Sequence, residues 1–532
     1  MNETFRTLVD KLRDAGRLVD VRQSVDIRYL PALIAQTGKA VMFHDVAGYD
    51  MPVVAGISNS RENLAAGYGC AYADIERRVV HAIANPIEPV MVSNAPSREV
   101  VKVGGDVDLC RLPAPVCADH DGGPMITAGL TIVRDEEHGL NAGIYRYLVR
   151  QSNLTGIDVV TPNNLRRFAE KAFRAGKPLP ISISLGTHLF ENMMATFAAP
   201  IGTSELAIAG GLRGEGVRLA ACETIDVPCL ADAEIVLEAE ILPIGWTKPE
   251  GRFGEFTRLM GGLHWNPEVR IKAISMRRNP IYYALHMPWE VIWLLPPIRE
   301  AALRRALKEA NIDVAAINVT PGASCFFHAV IAIRKQAGDG KNAIMAALSG
   351  AGGSLKHVVI VDDDIDVFDG NDVEWAIATR VQADRDVVIV SGARSKPLDP
   401  SIPPGLGIPT TAKMGIDATI PENVPGERYE RITHPYAREV SLDRLVEGGT
   451  PGVPAAPGRP RDHRQLAAEI RDAIAAEPVY YAALSHRYRE VDFQSFSRAV
   501  TELYAGGAIS QDAVGRLCLA DSPAVATPPR RG

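Results

Sequence analysis

Two glutamates in the stretch "EGRFGE", Glu250 and Glu255, stand five residues apart with Gly251 and Gly254 between them. That spacing fits neither one face of a helix, which needs three or four, nor one side of a strand, which needs an even number. The glycines point to a tight, irregular loop where backbone comes close to something else. Carboxylates held this way can do acid–base work, and they can equally be an idle surface turn. Other groups in the chain offer complementary chemistry. "NAGIYRYLVR" (141–150) sets Asn141 and Arg146 five apart, Glu234 opens "EIVLEAEIL", and Lys356 leads into a run that ends in "DDDID". Each alone is an ordinary surface charge; in this order the set is hard to dismiss.

The elements that must carry these residues follow from periodicity. "MNETFRTLVDKLRDAG" has Phe5, Leu8, Val9 and Leu12 at helical spacing and reads as an amphipathic opening helix rather than a signal peptide. Residues 74–86 read as a helix capped by Asp74, with Ile75, Val79 and Ile83 inward; residues 163–177 read as another, stopped by Gly176. Strands are expected over 178–186, 234–242, 269–278 and 280–287, then a helix over 298–310. A further α/β segment takes "CFFHAVIAI", the helix around "NAIMAAL", the strand "HVVIVD" and the helix "DVEWAIATR". The alternation makes the fold class mixed α/β (α+β). Residues 395–409 form a proline-rich excursion and 448–461 a linker. In the tail, Leu466, Ile470 and Ile474 share one face and Phe493, Phe496, Val500 and Leu503 another, a faintly winged-helix-like pattern. No basic recognition face stands out, so docking or oligomer contacts fit better than DNA binding.

Composition narrows the partners. A chain of 532 residues holds roughly three domains. A formal charge of −7 argues against a nucleic-acid or anionic-membrane surface, and no run is long enough to span a bilayer. Seven scattered cysteines without a CxxC pair fit free thiols in a reducing, cytoplasmic setting.

Over roughly residues 1 to 440 the chain resembles the UbiD family of reversible decarboxylases that use prenylated flavin mononucleotide. "EGRFGE" fits the family pattern E-G-x-x-G-E at every fixed position, and "AEIVLE" and "DDDIDVFDGNDVEWAIATR" reinforce it. The resemblance implies an N-terminal α/β domain (1–115), a split-barrel flavin-binding domain (116–315) and a C-terminal oligomerisation domain (316–447). The linker and helical tail (448–532) follow. It implies that Arg146, Glu250 and Glu255 are catalytic, and that the flavin is held by Asn141, Ile144, Tyr145, Arg146, Asn164, Glu234 and Lys356. Manganese or magnesium would bridge the cofactor phosphate through Asn141, Asn164 and Glu234, with potassium nearby. Asn164 stands where the family usually has a histidine. Residues 285–300 fall where relatives line the substrate pocket, making His286, Trp289, Glu290 and Trp293 candidates, and His286, Arg299 or Arg304 could pair with a second acidic group of the substrate.

The chemistry agrees with this family. Loss of carbon dioxide leaves an electron pair on carbon, which no side chain accepts well, so a cofactor must serve as the sink. The carbon then needs a proton, which a carboxylic acid with a raised pKa in an apolar pocket supplies; Glu255 is the candidate donor, with Arg146 and Glu250 orienting it. The expected substrate is an aromatic or heteroaromatic acid, a furan dicarboxylate or a hydroxybenzoate. The expected partners are a flavin prenyltransferase and further copies of the chain, as a homodimer or homohexamer. A paired-carboxylate hydrolase is the competing enzyme, but aromatic residues, the usual sugar platforms, total only 6%. A non-catalytic subunit is the other alternative, and it predicts a decayed triad, whereas all three residues are present.

Overall fold

Strands covered on both faces read as continuous apolar runs, and "TAGLTIV", "ISISL" and "IVLEAEI" are of that kind. In the computed structural model they lie together. The structure describes residues 3–160, 162–197, 199, 202–350, 355–403, 409–435, 441–442 and 458–526. The central sheet consists of Val100–Val103 (β1), Met125–Asp135 (β2), Gly139–Leu148 (β3), Leu154–Gly156 (β4), Leu179–Leu185 (β5), Ile235–Ile241 (β6) and Glu268–Met276 (β7). Its order is β1-β7-β6-β5-β2-β3, with β4 on β7, and every pairing is antiparallel. A bridge between Val149 and Thr155 ties the end of β3 to β4, so the path turns back on itself as a split barrel does. Ile181, Ile183, Ile235, Leu237 and Ile271 fill one side of it, all buried.

The N-terminal segment adds a small sheet, Leu18–Val21, Ala40–Phe43, Val53–Ala55 and Tyr282–Tyr283. The opening helix Phe5–Asp14 (α1) buries Phe5, Leu8, Val9 and Leu12, and Thr4 caps it in a reciprocal capping box. The helix expected from Asp74 begins two residues earlier, at Tyr72–Ala84 (α2), because buried Tyr72 belongs to the same apolar stripe; Asp74 sits inside the first turn, where it complements the helix dipole. Asn163 caps Asn164–Arg174 (α3), Ser204 caps Glu205–Arg213 (α4), and Pro296–Glu309 (α5) leaves the barrel. The strand expected over 280–287 is confined to Tyr282–Tyr283. Beyond it the His286 N–H turns to the Glu290 carboxylate (2.6 Å), and Pro288 has no N–H for a ladder.

The third part is a five-stranded sheet in the order Val314–Val319, His328–Ile333, His357–Asp362, Thr410–Asp417, Val387–Arg394. It is accompanied by helices Asp339–Ser349 and Gly370–Arg380. The strand expected from Cys325 starts only at His328, since Ser324 and Cys325 adopt positive φ (60° and 55°) in a turn.

The chain divides into two units, Met1–Val424 and Pro425–Gly532. The second contains helices His463–Ala476, Tyr481–Arg487 and Phe493–Ala505 and a closing hairpin, Ile509–Gln511 with Leu517–Leu519. Its core takes Leu466, Ile470, Ile474, Phe496, Val500 and Leu503 as the pattern predicts, but Phe493 is 63% exposed and Ala499 is buried on that face instead. Most of the expected linker, and 404–408 of the proline-rich excursion, lie outside the described residues. Among the described residues no helix is long and apolar enough to cross a membrane. All seven cysteines are free.

Candidate active site

The "EGRFGE" stretch leaves a short hairpin. Lys248–Glu250 pairs with His264–Asn266, setting Glu250 opposite His264. Gly251 then takes φ +114°, a conformation that side chains resist. The chain turns back at Glu255, whose N–H donates to the Leu259 carbonyl (2.9 Å) while its own carbonyl accepts from Arg258 N–H (2.9 Å). Glycines elsewhere make the room. A Cβ on Gly122 would strike the Gly251 carbonyl, one on Gly156 would lie 2.8 Å from Glu250 Cγ, and one on Gly261 would lie 2.9 Å from Glu255 Oε1. Both acids are thus held between backbone segments rather than on a free surface loop.

Arg146 reaches this loop from β3. Its Nη1 donates to Glu255 Oε1 (3.0 Å) and its Nη2 to Glu250 Oε2 (3.4 Å), so the three residues singled out by motif do meet. The guanidinium lies 4.6 Å from the Phe253 ring centroid, a cation–π contact that fixes its plane. A fourth residue, which sequence reasoning missed, makes the shortest contact: Asp158 Oδ2 is 2.6 Å from Arg146 Nη2. His264 Nδ1 stands 3.3 Å from the same Asp158 oxygen, and Asn266 Nδ2 donates to Asp158 Oδ1 (3.3 Å). Burial pushes Glu255 and Glu250 above the usual carboxylate range, with Arg146 only partly opposing it. Asp158 goes the other way; despite burial, the His264 contact and the Arg146 charge hold it at about 2. The Asp158 contact raises His264 in turn. Nothing in "TGID" marks Asp158, because its partners come from strands that only the fold brings near.

At the other end of β3, an edge strand leaves N–H groups unpaired. Ala142 N–H donates to Glu205 Oε2 (3.0 Å), Asn141 Nδ2 donates to Glu205 Oε1 (2.8 Å), and Ile144 N–H takes the Ala195 carbonyl (3.3 Å). Burial pushes Glu205, the first residue of α4, up to about 7. Tyr145 is enclosed, and burial raises its phenol too. The acid that meets Asn141 is therefore Glu205 and not Glu234. Glu234 is taken up by Arg6 (2.8 Å), Arg277 (3.3 Å) and the Ile281 N–H (3.1 Å), two cations and a donor that saturate it. Among the described contacts Asn164 does not join Asn141 either; it opens α3, partly exposed. Lys356 is bonded to Asp399 (3.0 Å) and Ser401 (2.5 Å).

Glu255 also lines a cleft of about 770 Å³ with Cys117, Met260, His286, Met287 and Trp289. His286 Nδ1 has no partner, and burial lowers this imidazole to about 4, leaving it neutral at ordinary pH. His286 and Trp289 are thus placed beside the acid; the other three pocket candidates are not. Glu290 is buried under donors from Gly56, Ser58, Tyr283 and His286, a structural knot. Trp293 packs edge-on against Tyr72 at 6.2 Å, and Arg304 is paired with Glu76 at 2.7 Å. Arg299 lies over the Phe326 ring (3.6 Å), which stacks on Phe256 next to Glu255; burial lowers its guanidinium to about 10.

Three family models match the chain in succession: the 3-octaprenyl-4-hydroxybenzoate carboxy-lyase N-terminal domain over 9–83, its Rift-related domain over 89–288 and its C-terminal domain over 292–418. The chain belongs to the UbiD family. It is a UbiD-type carboxy-lyase. Among similar UbiD proteins, the anhydromevalonate phosphate decarboxylase of Methanothermobacter thermautotrophicus is 34% identical over 433 residues, 81% of this chain and 99% of that one. The UbiD-class enzyme HmfF of Pelotomaculum thermopropionicum, solved in complex with FMN, superposes with a TM-score of 0.79 at 38% identity over 83% of this chain and 100% of its own. An evolved dimeric form of that enzyme was solved with prFMN (TM-score 0.76, 35% identity, covering 84% and 100%). The 3,4-dihydroxybenzoic acid decarboxylase of Enterobacter cloacae follows at a TM-score of 0.76 and 28% identity, covering 82% and 99%.

The UbiD cofactor has room to be recognised by the residues present. Arg146 Nε and Glu250 Oε1 are buried polar atoms without partners, a donor and an acceptor available to a bound ring. Asn141 and Glu205 could hold a cation, since oxygen donors suit a hard divalent ion and a nearby cation would favour the charged form of a carboxylate that burial opposes.

Proposed function

We propose that this UbiD enzyme reversibly decarboxylates an aromatic or heteroaromatic acid with prenylated FMN, using Glu255 as the proton donor and Arg146 and Glu250 to hold it. The observation that carries this reading is the placement of Glu255: 3.0 Å from Arg146 on one side, and on the wall of the cleft shared with His286 and Trp289 on the other.

When bound, prenylated FMN supplies the electron sink that decarboxylation requires. The chain supplies the rest. Arg146 orients the Glu255 carboxyl through Nη1 and is itself braced by Glu250 and the Phe253 ring. Burial raises both Glu250 and Glu255, which favours a proton on the pair, and Glu255, on the cleft wall, is the one placed to deliver it to the carbon that carbon dioxide has left. Trp289 and Met287 offer flat, apolar contact to a planar substrate, and His286 offers it a neutral imidazole. Asn141 and Glu205 would hold manganese or magnesium, a hard ion that would offset the negative charge of the cofactor phosphate, with potassium a further expected ion and Lys356 a further cation for the cofactor.

The same reading takes the enzyme as cytoplasmic, a homodimer or homohexamer supplied by a flavin prenyltransferase. Its domains run 1–115, 116–315 and 316–447, followed by the tail. A second substrate class has its own support. Arg28 and Arg258 line the cleft, which favours an acid carrying a further anionic group, and a relative is named for a phosphorylated substrate. The test is carbon dioxide release by the holoenzyme from furan dicarboxylates, hydroxybenzoates and anhydromevalonate phosphate. Release from an aromatic or heteroaromatic acid supports the first reading, and release from the phosphorylated acid alone replaces it with the second.

A further inference from the structure

Arg146 carries more acid than it can neutralise. Glu250, Glu255 and Asp158 all converge on one guanidinium, and among the described residues His264 is the one further basic side chain in contact with the set. Even with His264 protonated, one guanidinium and one imidazolium balance only two carboxylates, so the third acid is most stable with its proton on. Geometry decides which acid that is. Asp158 has the shortest bond to Arg146 (2.6 Å) and also faces His264, Asn266 Nδ2 and the Val160 N–H (3.3 Å each). Glu250 has a single bond at 3.4 Å and leaves Oε1 buried without a partner, while Glu255 has a single side-chain bond at 3.0 Å. The proton belongs to the Glu250–Glu255 pair, and of those two Glu255 lines the cleft.

We propose that Asp158 is a positioning residue that competes with Glu255 for Arg146 and so keeps a deliverable proton on Glu255, and that His264, bonded to Asp158, limits that pull. This rests on the decarboxylase reading for its purpose but not for its test. The charged groups facing Glu255 are few. Arg146 comes from β3, Asp158 from the loop after β4, and Glu250 and His264 from the hairpin arms. Arg258 lies in its own turn, Asp121 accepts the Gly254 N–H (3.1 Å), and Arg28, Asp119 and the neutral His286 line the cleft. Of these, Asp158 is the anion that shares the Arg146 Nη2 most tightly, so its charge has the largest lever on how much of Arg146 remains for Glu255.

The two residues pull in opposite directions. Removing the Asp158 charge returns Arg146 to Glu255 and favours its ionised form; removing the His264 cation favours its acid form. The measurement is an infrared pH titration of the protonated-carboxyl absorption that Glu255→Gln abolishes, made on protein without cofactor or substrate. The holoenzyme rate profile is followed in parallel. Asp158→Asn should lower the midpoint by about one pH unit, with the alkaline fall in rate moving down equally. Asp158→Glu should restore the wild-type midpoint, and His264→Gln should raise it. An unmoved midpoint in Asp158→Asn overturns the proposal, as does a His264→Gln shift in the same direction. If Asp158→Asn does not fold, the half-exposed His264 carries the test by sign alone. Because the titration needs no turnover, it stands or falls apart from the decarboxylase reading.

Discussion

Two buried ion clusters in the Met1–Val424 unit have opposite balances. Around Glu234 two guanidiniums, Arg6 and Arg277, and the Ile281 N–H surround one fully buried carboxylate. Around Arg146 three carboxylates surround one guanidinium. A carboxylate with surplus donors is held in place, and the Glu234 cluster joins α1 to the start of β6 as a fixed link. A cation with surplus acids instead leaves a proton without a fixed owner, which is what acid–base chemistry needs. Glu290, held by donors from Gly56, Ser58, Tyr283 and His286, is likewise fixed in place, although without a cation burial pushes it above its ordinary value. Burial of a charge alone therefore does not mark a catalytic group; the ratio of donors to acceptors around it does.

Substitutions can break this contrast. The largest effect is expected at Arg146. Arg146→Met should lower turnover by about 10³-fold, because both glutamates lose their orienting partner; steady-state rates on the best substrate of the panel measure it, and a loss below tenfold would remove Arg146 from the centre. Glu234→Gln should cost about 3 kcal/mol of stability while leaving flavin content per folded molecule unchanged. Denaturant unfolding and flavin absorbance check the two halves, and loss of flavin without loss of stability would return Glu234 to the cofactor. Glu205→Ala should show the reverse pattern, with a smaller energetic cost. Cofactor retention should fall about 10- to 100-fold, and mass spectrometry of released flavin after dialysis against chelator reads it.

Much of this was legible in the chain, and the failures have physical causes. The apolar stripes of α1, α3 and the Gly370–Arg380 helix announced those elements, because a helix that buries one face needs that period. "EGRFGE" announced its loop, since two glycines around an arginine suit neither helix nor strand. Asp158 and His264 were invisible because their partners lie at long range on other strands and neither residue has a local pattern. Glu205 was hidden for a similar reason; "SEL" marks a helix start, and only the edge position of β3 turns that acid toward Asn141. Glu234 is ambiguous in the chain because a glutamate opening an apolar strand suits a ligand and a structural ion pair equally well, and Arg6, with which it pairs, is 228 residues away. Glu290, Trp293 and Arg304 follow the cleft residues closely in sequence, but Glu290 turns in to the Gly56 and Ser58 N–H groups, Trp293 packs on Tyr72 and Arg304 pairs with Glu76.

The most direct test is Glu255→Gln, made alongside a flavin prenyltransferase and assayed for both flavin content and carbon dioxide release. With the Arg146 contact kept by an amide oxygen and the proton gone, the variant should hold prenylated flavin at the wild-type level and lose most of its turnover. Release at the wild-type rate from a fully loaded variant would mean that the proton reaches carbon by another route and that Glu255 is not the donor.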